Sequence, residues 1–94
     1  QKQLTPLQTT LTIAPNPVRD KVQLSIMANE NDQGEANIQL YDLSGKLVLQ
    51  EDIIIQPGIN RIILERDSQQ INNSLHVLNF RTKNTVFRQK ILFH

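Results

Sequence analysis

Apolar and polar positions alternate along much of this chain with a period of two, most plainly between Ala36 and Gln50. Ala36, Ile38 and Leu40 alternate with Asn37, Gln39 and Tyr41; Asp42, Ser44 and Gly45 interrupt; Leu47 and Leu49 resume the alternation. That period sends successive side chains to opposite faces of a strand, one toward a core and one toward water. Two such arms joined by turn formers predict a β-hairpin. Asp42 can accept hydrogen bonds from its own turn backbone, and Gly45 can take a positive φ without a Cβ clash.

The same pattern recurs along the chain. Thr9 to Ala14 predicts a first strand, stopped by Pro15, and Val22, Leu24 and Ile26 mark a second. The hairpin supplies the third and fourth, the fourth running on into Ile53. Ile59 to Glu65 forms a fifth, entered through Gln56-Pro57-Gly58. Leu75 to Arg81 is a sixth. Thr85 to Phe93 is a seventh, reached through Lys83-Asn84, a two-residue turn in which Asn tolerates φ > 0. No stretch of a dozen residues carries a helical apolar stripe between a cap and a stop.

Seven short strands with turns every 8 to 12 residues predict an all-β fold: an immunoglobulin-like antiparallel β-sandwich. The polar runs Ala28 to Gly34 and Asp67 to Ser74 read as loops between sheets. Residues 1–10 read as a linker or tether, and residues 11–94 as one domain. The expected core is Ile13, Val22, Leu24, Ile26, Ile38, Leu40, Leu47, Leu49, Ile62, Leu64, Val77 and Ile91. In the sixth strand His76, Leu78 and Phe80 compete with Leu75, Val77 and Asn79 for the inner face, because a one-residue shift exchanges the two sets.

Size and composition narrow the possibilities. A chain of 94 residues is one small domain, able to bury ~65% of its unfolded surface. It has no cysteine and so no disulfide framework or thiolate metal site. A net charge of +1 draws it toward neither nucleic acid nor an anionic membrane. The aromatic residues are Tyr41, Phe80, Phe87 and Phe93, too few for a base-stacking platform. No apolar run approaches the ~20 residues needed to cross a bilayer. Residues 1–14 lack the charged head and apolar stretch of a signal peptide. The start at Gln1 reads as a fragment of a longer chain, with any amino-terminal export address on the part not shown.

Candidate chemistry is sparse, and no cofactor or metal is expected. The histidines are His76 and His94. His76 falls inside a predicted strand, and a general base needs a nucleophile and an orienting group converging on it. Ser25, Ser44, Ser68 and Ser74 lie in no nucleophile-elbow context. The adjacent Glu51 and Asp52 point to opposite faces of a strand. Asn29-x-Asn31-x-Gln33-Gly34 resembles the first half of a calcium loop, but Leu40 stands where the bidentate carboxylate belongs. Gly34, Gly45 and Gly58 each sit alone in a turn. Arg81, Lys83, Arg88 and Lys90 gather late in the chain. They read as an outward face that discourages edge aggregation, or as charges on which a partner docks.

Several of these motifs occur in a telling order: Pro15-Asn16-Pro17, then Ile38 to Val48 with Tyr41-Asp42-x-x-Gly45-Lys46 inside it, then Gly58-Ile59-Asn60, then a basic and apolar strand from Arg88 to Phe93. Over residues 11–94 the chain resembles the C-terminal sorting domain of the type IX (Por) secretion system. The resemblance implies a seven-stranded sandwich at the carboxyl end of an exported cargo protein. It implies passage through the periplasm to the cell surface or medium, and recognition by the outer-membrane translocon. It further implies handling by a surface sortase and attachment complex, with no catalytic residues in the domain itself. The residues it picks out for sorting are Pro15, Asn16, Pro17, Tyr41, Asp42, Gly45, Lys46, Gly58, Arg88 and Lys90.

Two departures from that pattern bear on processing. Ser74-Leu75-His76 replaces the usual Gly-x-Tyr before the sixth strand, and the lysine-rich finish is reduced to Lys90. A divergent domain of this kind can be retained on its protein, as in surface components of the secretion machinery. Pairing along the terminal strand would add affinity for a partner and makes an edge-paired dimer conceivable. The competing expectations are an adhesive or carbohydrate-binding module, which calls for exposed aromatics, and a small hydrolase, which calls for a pocket around His76.

Overall fold

The computed structural model describes residues 6–66 and 71–94. The alternating stretches form seven strands: β1 (Thr10–Ala14), β2 (Lys21–Ala28), β3 (Gly34–Asp42), β4 (Leu47–Ile55), β5 (Gly58–Glu65), β6 (Leu75–Arg81) and β7 (Val86–Leu92). A three-residue 3-10 turn, Glu30–Asp32, lies between β2 and β3. Two antiparallel sheets result, one ordered β1-β2-β5 and the other β4-β3-β6-β7. The fold is the expected all-β sandwich. The part of the loop predicted over Asp67 to Gln70, including Ser68, lies outside the described residues, as does the tether up to Thr5.

The inner faces of the two sheets make one core. Val22, Leu24 and Ile26 of β2 meet Ile38 and Leu40 of β3 and Leu78 and Phe80 of β6, with Ile13, Leu64 and Ile91 at the sides. Leu24, Ile26, Ile38, Leu78 and Phe80 are fully buried. Burying each such side chain contributes about 1.5–3 kcal/mol. The β3–β6 register resolves the ambiguity of the sixth strand. Leu40 faces Leu78 and Ile38 faces Phe80, so β6 turns His76, Leu78 and Phe80 inward. Val77, expected in the core, instead stands beside Tyr41 on the outer face.

Leu47 is the second correction. Leu40 pairs with Leu49 and Tyr41 with Leu47, so Val48 is an extra residue on β4. Such a bulge exchanges the faces on its far side. It turns Leu47 outward, 41% exposed, and packs Val48 against the core. Leu49 and Ile62 are partly buried at the core margin. Val18, Ile55, Ile71 and Phe93 complete the core from positions that strand periodicity does not flag, three of them in or beside loops.

The turns follow local chemistry. Asp42 Oδ1 accepts from Ser44 N–H, Ser44 hydroxyl and Lys46 N–H at 2.9, 2.6 and 2.9 Å. Gly45 completes this turn with φ +88°. Before β5, Asn60 holds its turn from both sides: its Oδ1 accepts the Gln56 N–H at 2.9 Å and its Nδ2 donates to the Gln56 carbonyl at 2.7 Å. The Lys83-Asn84 turn is closed by a Thr82 N–H to Thr85 carbonyl bond of 2.8 Å. The described residues with positive φ are all glycines, so Asn84 does not use the conformation expected of it.

Candidate recognition surface

The residues picked out from the sequence lie mostly at one end of the sandwich. β1 ends and β2 begins there, and Pro15, Asn16 and Pro17 form the exposed connection, with both X-Pro peptides cis. The β3–β4 turn lies at the same end, because Asp42 pairs with His76 and His76 with Ile91 near the close of β7. Asn16 Oδ1 accepts the Leu92 N–H at 3.2 Å. Val18 N–H donates to the Leu92 carbonyl at 2.7 Å, and His94 N–H donates to the Val18 carbonyl at 2.9 Å. The loop between the proline motif and β2 thus adds a short parallel bridge to the edge of β7, pairing Val18 with Phe93.

The outer face of the four-stranded sheet carries the rest. Its pairing sets Leu47, Tyr41, Val77 and Lys90 in one row, and Gln50, Gln39, Asn79 and Arg88 in the next. Tyr41 hydroxyl donates to Gln39 Oε1 at 2.9 Å, and Arg88 Nε donates to Asn79 Oδ1 at 3.0 Å. Tyr41, Asp42, Gly45 and Arg88 line one shallow depression of about 400 Å³. Ser44 hydroxyl and the Lys46 N–H, acting on Asp42, hold its carboxyl below the ordinary range. Lys46 itself extends into solvent.

Gly58 stands apart. It pairs with Ala28, while Lys21 at the other end of β2 pairs with Glu65. The length of β2, about 23 Å at 3.3 Å per residue, separates it from the proline motif. It is buried with φ +91°, a backbone position that favours glycine.

The chemistry weighed against recognition looks different in three dimensions. His76 is fully buried: its Nδ1 donates to the Ser74 carbonyl at 3.1 Å, and its Nε2 has no hydrogen-bond partner among the described residues. Its ring meets Phe93 edge-on at 5.0 Å. It therefore fills the interior in the place of the aromatic the motif leads one to expect, and among the described residues no hydroxyl is hydrogen-bonded to it. Phe80 and Phe93 are buried, and Phe87 stacks on Phe80 at 6.2 Å, so they form no exposed sugar platform.

The Asn29–Gly34 segment is built around a residue that sequence reasoning passed over. Asp32 is 3% exposed. Its carboxylate accepts from the hydroxyls of Thr9, Thr82 (2.6 Å) and Thr85 (2.9 Å) and from the Asn84 N–H (3.1 Å). Burial pushes its pKa up, but those donors together outweigh burial and hold it below 3.8. Asn29 caps the 3-10 turn through the Asn31 N–H at 2.8 Å, and its Nδ2 donates to the Pro6 and Leu7 carbonyls at 2.8 and 3.2 Å. Donors within the chain thus occupy the loop that resembled a calcium site. Among the described residues, no three His, Cys, Asp or Glu side chains gather as metal ligands.

Arg66 was also missed. It donates to the carbonyls of Ile71 (3.0 Å) and Arg19 (3.1 Å), and lies 5.4 Å from the Phe93 ring centroid. No motif announced it, since each partner comes from a different loop or strand.

The distinctive side chains of this antiparallel β-sandwich thus lie on turns, on one outer face and at a strand end closed by Asn16 and Val18. The model of the secretion system C-terminal sorting domain matches residues 12–94, and the chain belongs to that family. It is therefore a type IX secretion sorting signal, acting with that machinery on cargo N-terminal to it. Its family role implies export through the periplasm to the cell surface or medium. No curated protein and no solved structure matches the chain.

Proposed function

We propose that this domain is read by the outer-membrane translocon and the surface attachment complex at the end of the sandwich where the proline motif, the β3–β4 turn and the close of β7 meet. Residues 11–94 are the address and residues 1–10 lead to cargo, with Pro6, Leu7, Thr9 and Thr10 of that stretch fastened to the domain rather than free as the linker reading has them. The observation that carries this reading is the Asn16–Leu92 contact, which joins the two ends of the motif series at one place. A folded surface of this kind binds without the cost of ordering a loop. Pro15, Asn16, Pro17, Tyr41, Asp42, Lys46, Arg88 and Lys90 supply the contacts, while Gly45 and Gly58 fix backbone shape.

The loss of Gly-x-Tyr and of the lysine-rich finish supports a domain that stays on its protein rather than being cut away. A periplasmic reporter fused to residues 1–94 tests both points in a type IX-secreting host. The expected result is a surface-exposed reporter of full fused length. Removal of residues 85–94 should hold the reporter in the periplasm, and secretion that continues without them refutes the proposal.

A further inference from the structure

The edge of β7 is sealed at one end and open along the rest. Both backbone groups of Leu92 face away from β6 and are taken by Asn16 and Val18. Strand geometry alternates these directions, so the N–H and C=O of Val86, Arg88 and Lys90 face the same open side. Among the described residues none of these three makes a backbone hydrogen bond on that side. The opening is framed by the Val18 bridge at one end and the Thr82–Thr85 turn at the other.

Charge tells what could fill it. Arg88 and Lys90 project from alternate positions of the open stretch onto the outer face, and Arg81 lies beside them on β6. The ion pair formed among the described residues is Lys21 with Glu65, at 3.9 Å, in the other sheet. The acidic residues of this outer face, Glu35 and Asp52, lie on β3 and β4, across the sheet from β7, and Asp42, which lines the same depression as Arg88, has its Oδ1 taken by Ser44 and the Lys46 N–H.

We infer that the open stretch of β7, Val86 to Lys90, accepts an extended acidic segment of a partner protein as a fifth strand. That segment carries carboxylates at alternate positions to face Arg88 and Lys90. The main chain supplies the ladder, and opposite charges at directly facing positions fix the register. The Asn16–Val18 seal stops the added strand at Lys90. This inference deepens the proposed function, on which it rests, by naming the chemistry of the partner.

The test uses the 94-residue chain and three synthetic peptides: an alternating Asp-Val peptide, its Lys-Val counterpart, and the acidic peptide with a central proline. The expected result is saturable binding of the acidic peptide alone, with slowed amide exchange at Val86, Arg88 and Lys90. Raising salt from about 20 to 300 mM should weaken it several-fold. The double variant Arg88→Glu/Lys90→Glu, whose altered side chains are exposed, should melt as the parent does. It should lose at least about fivefold in affinity for the acidic peptide and bind the Lys-Val peptide instead.

Equal binding of all three peptides, protection elsewhere, or an unchanged double variant overturns the inference. So does self-association that protects β7 together with Glu51 and Asp52 of β4, since the occupant would then be a second copy. A reporter that is exported while the acidic peptide fails to bind sinks this inference and leaves the sorting role standing. A retained reporter with normal peptide binding does the reverse.

Discussion

Asn16 and Leu92 lie 76 positions apart and are joined by one hydrogen bond, the Leu92 N–H donating to Asn16 Oδ1 at 3.2 Å. Asn16→Ala should therefore speed amide exchange at Leu92 specifically. Its cost in global stability should be about 1 kcal/mol, the usual net worth of one such bond. Denaturant melts and residue-resolved exchange measure the two effects, and an unchanged Leu92 rate counts against the seal.

Removing Asp32 should cost far more than its place in a polar loop suggests. Asp32→Ala takes the shared acceptor from three threonine hydroxyls and the Asn84 N–H, leaving Thr82 and Asn84 only their longer contacts of 3.4 and 3.3 Å. A loss of about 3 kcal/mol is expected, since each buried orphaned donor carries a desolvation penalty. Urea unfolding of the parent and variant measures it.

The same carboxylate gives the stability a pH dependence of known sign. The folded pKa of Asp32 lies below the ordinary 3.8. Its stabilisation is therefore full at pH values above the unfolded pKa and is lost as pH falls through the folded value. Asp32→Asn, less stable at neutral pH, should lose less than the parent on acidification to about pH 2.5. Thermal melts across that range test this, and parallel curves for the two proteins disprove it.

His76→Phe should stabilise the domain by about 1 kcal/mol. The substitution removes the unpartnered buried Nε2 and keeps a ring against Phe93, while the Ser74 carbonyl that loses Nδ1 still accepts the Phe93 N–H at 3.0 Å. His76→Ala should do the opposite, costing about 3 kcal/mol through the cavity it leaves. Thermal melts rank the three proteins.

Gly45→Ala isolates a purely conformational effect. A Cβ at Gly45 would meet nothing within 4 Å, yet the backbone sits at φ +88°. The expected loss is about 1 kcal/mol, all from placing an L side chain in the left-handed region. Calorimetry of the variant measures it.

The strands were legible because each sheet keeps one face on the core, so side-chain period and burial report the same thing. Leu47 escaped that logic: the Val48 bulge is a backbone event that leaves no mark on alternation. Val77 escaped because the outer face of β6 begins with Leu75 and Val77 while the inner one begins with His76, so its register came from pairing with β3 and not from its own residues. The Tyr41–Lys46 turn was readable since its donors and acceptor are sequence neighbours. The Asp32 cluster was not, because Thr9, Thr82 and Thr85 reach it from across 23, 50 and 53 positions.

The Asn29 and Asp32 fastenings also set how the domain bears a pull. A load entering from upstream of Pro6 reaches the two carbonyls gripped by Asn29, then the Thr9 hydroxyl held by Asp32, before the β1–β2 ladder takes the strain. Those anchors sit at the far end of the strands from Pro15–Pro17. A machine holding the molecule by its proline end would tow its burden along β1, which runs from those anchors to the proline motif with β2 alone beside it.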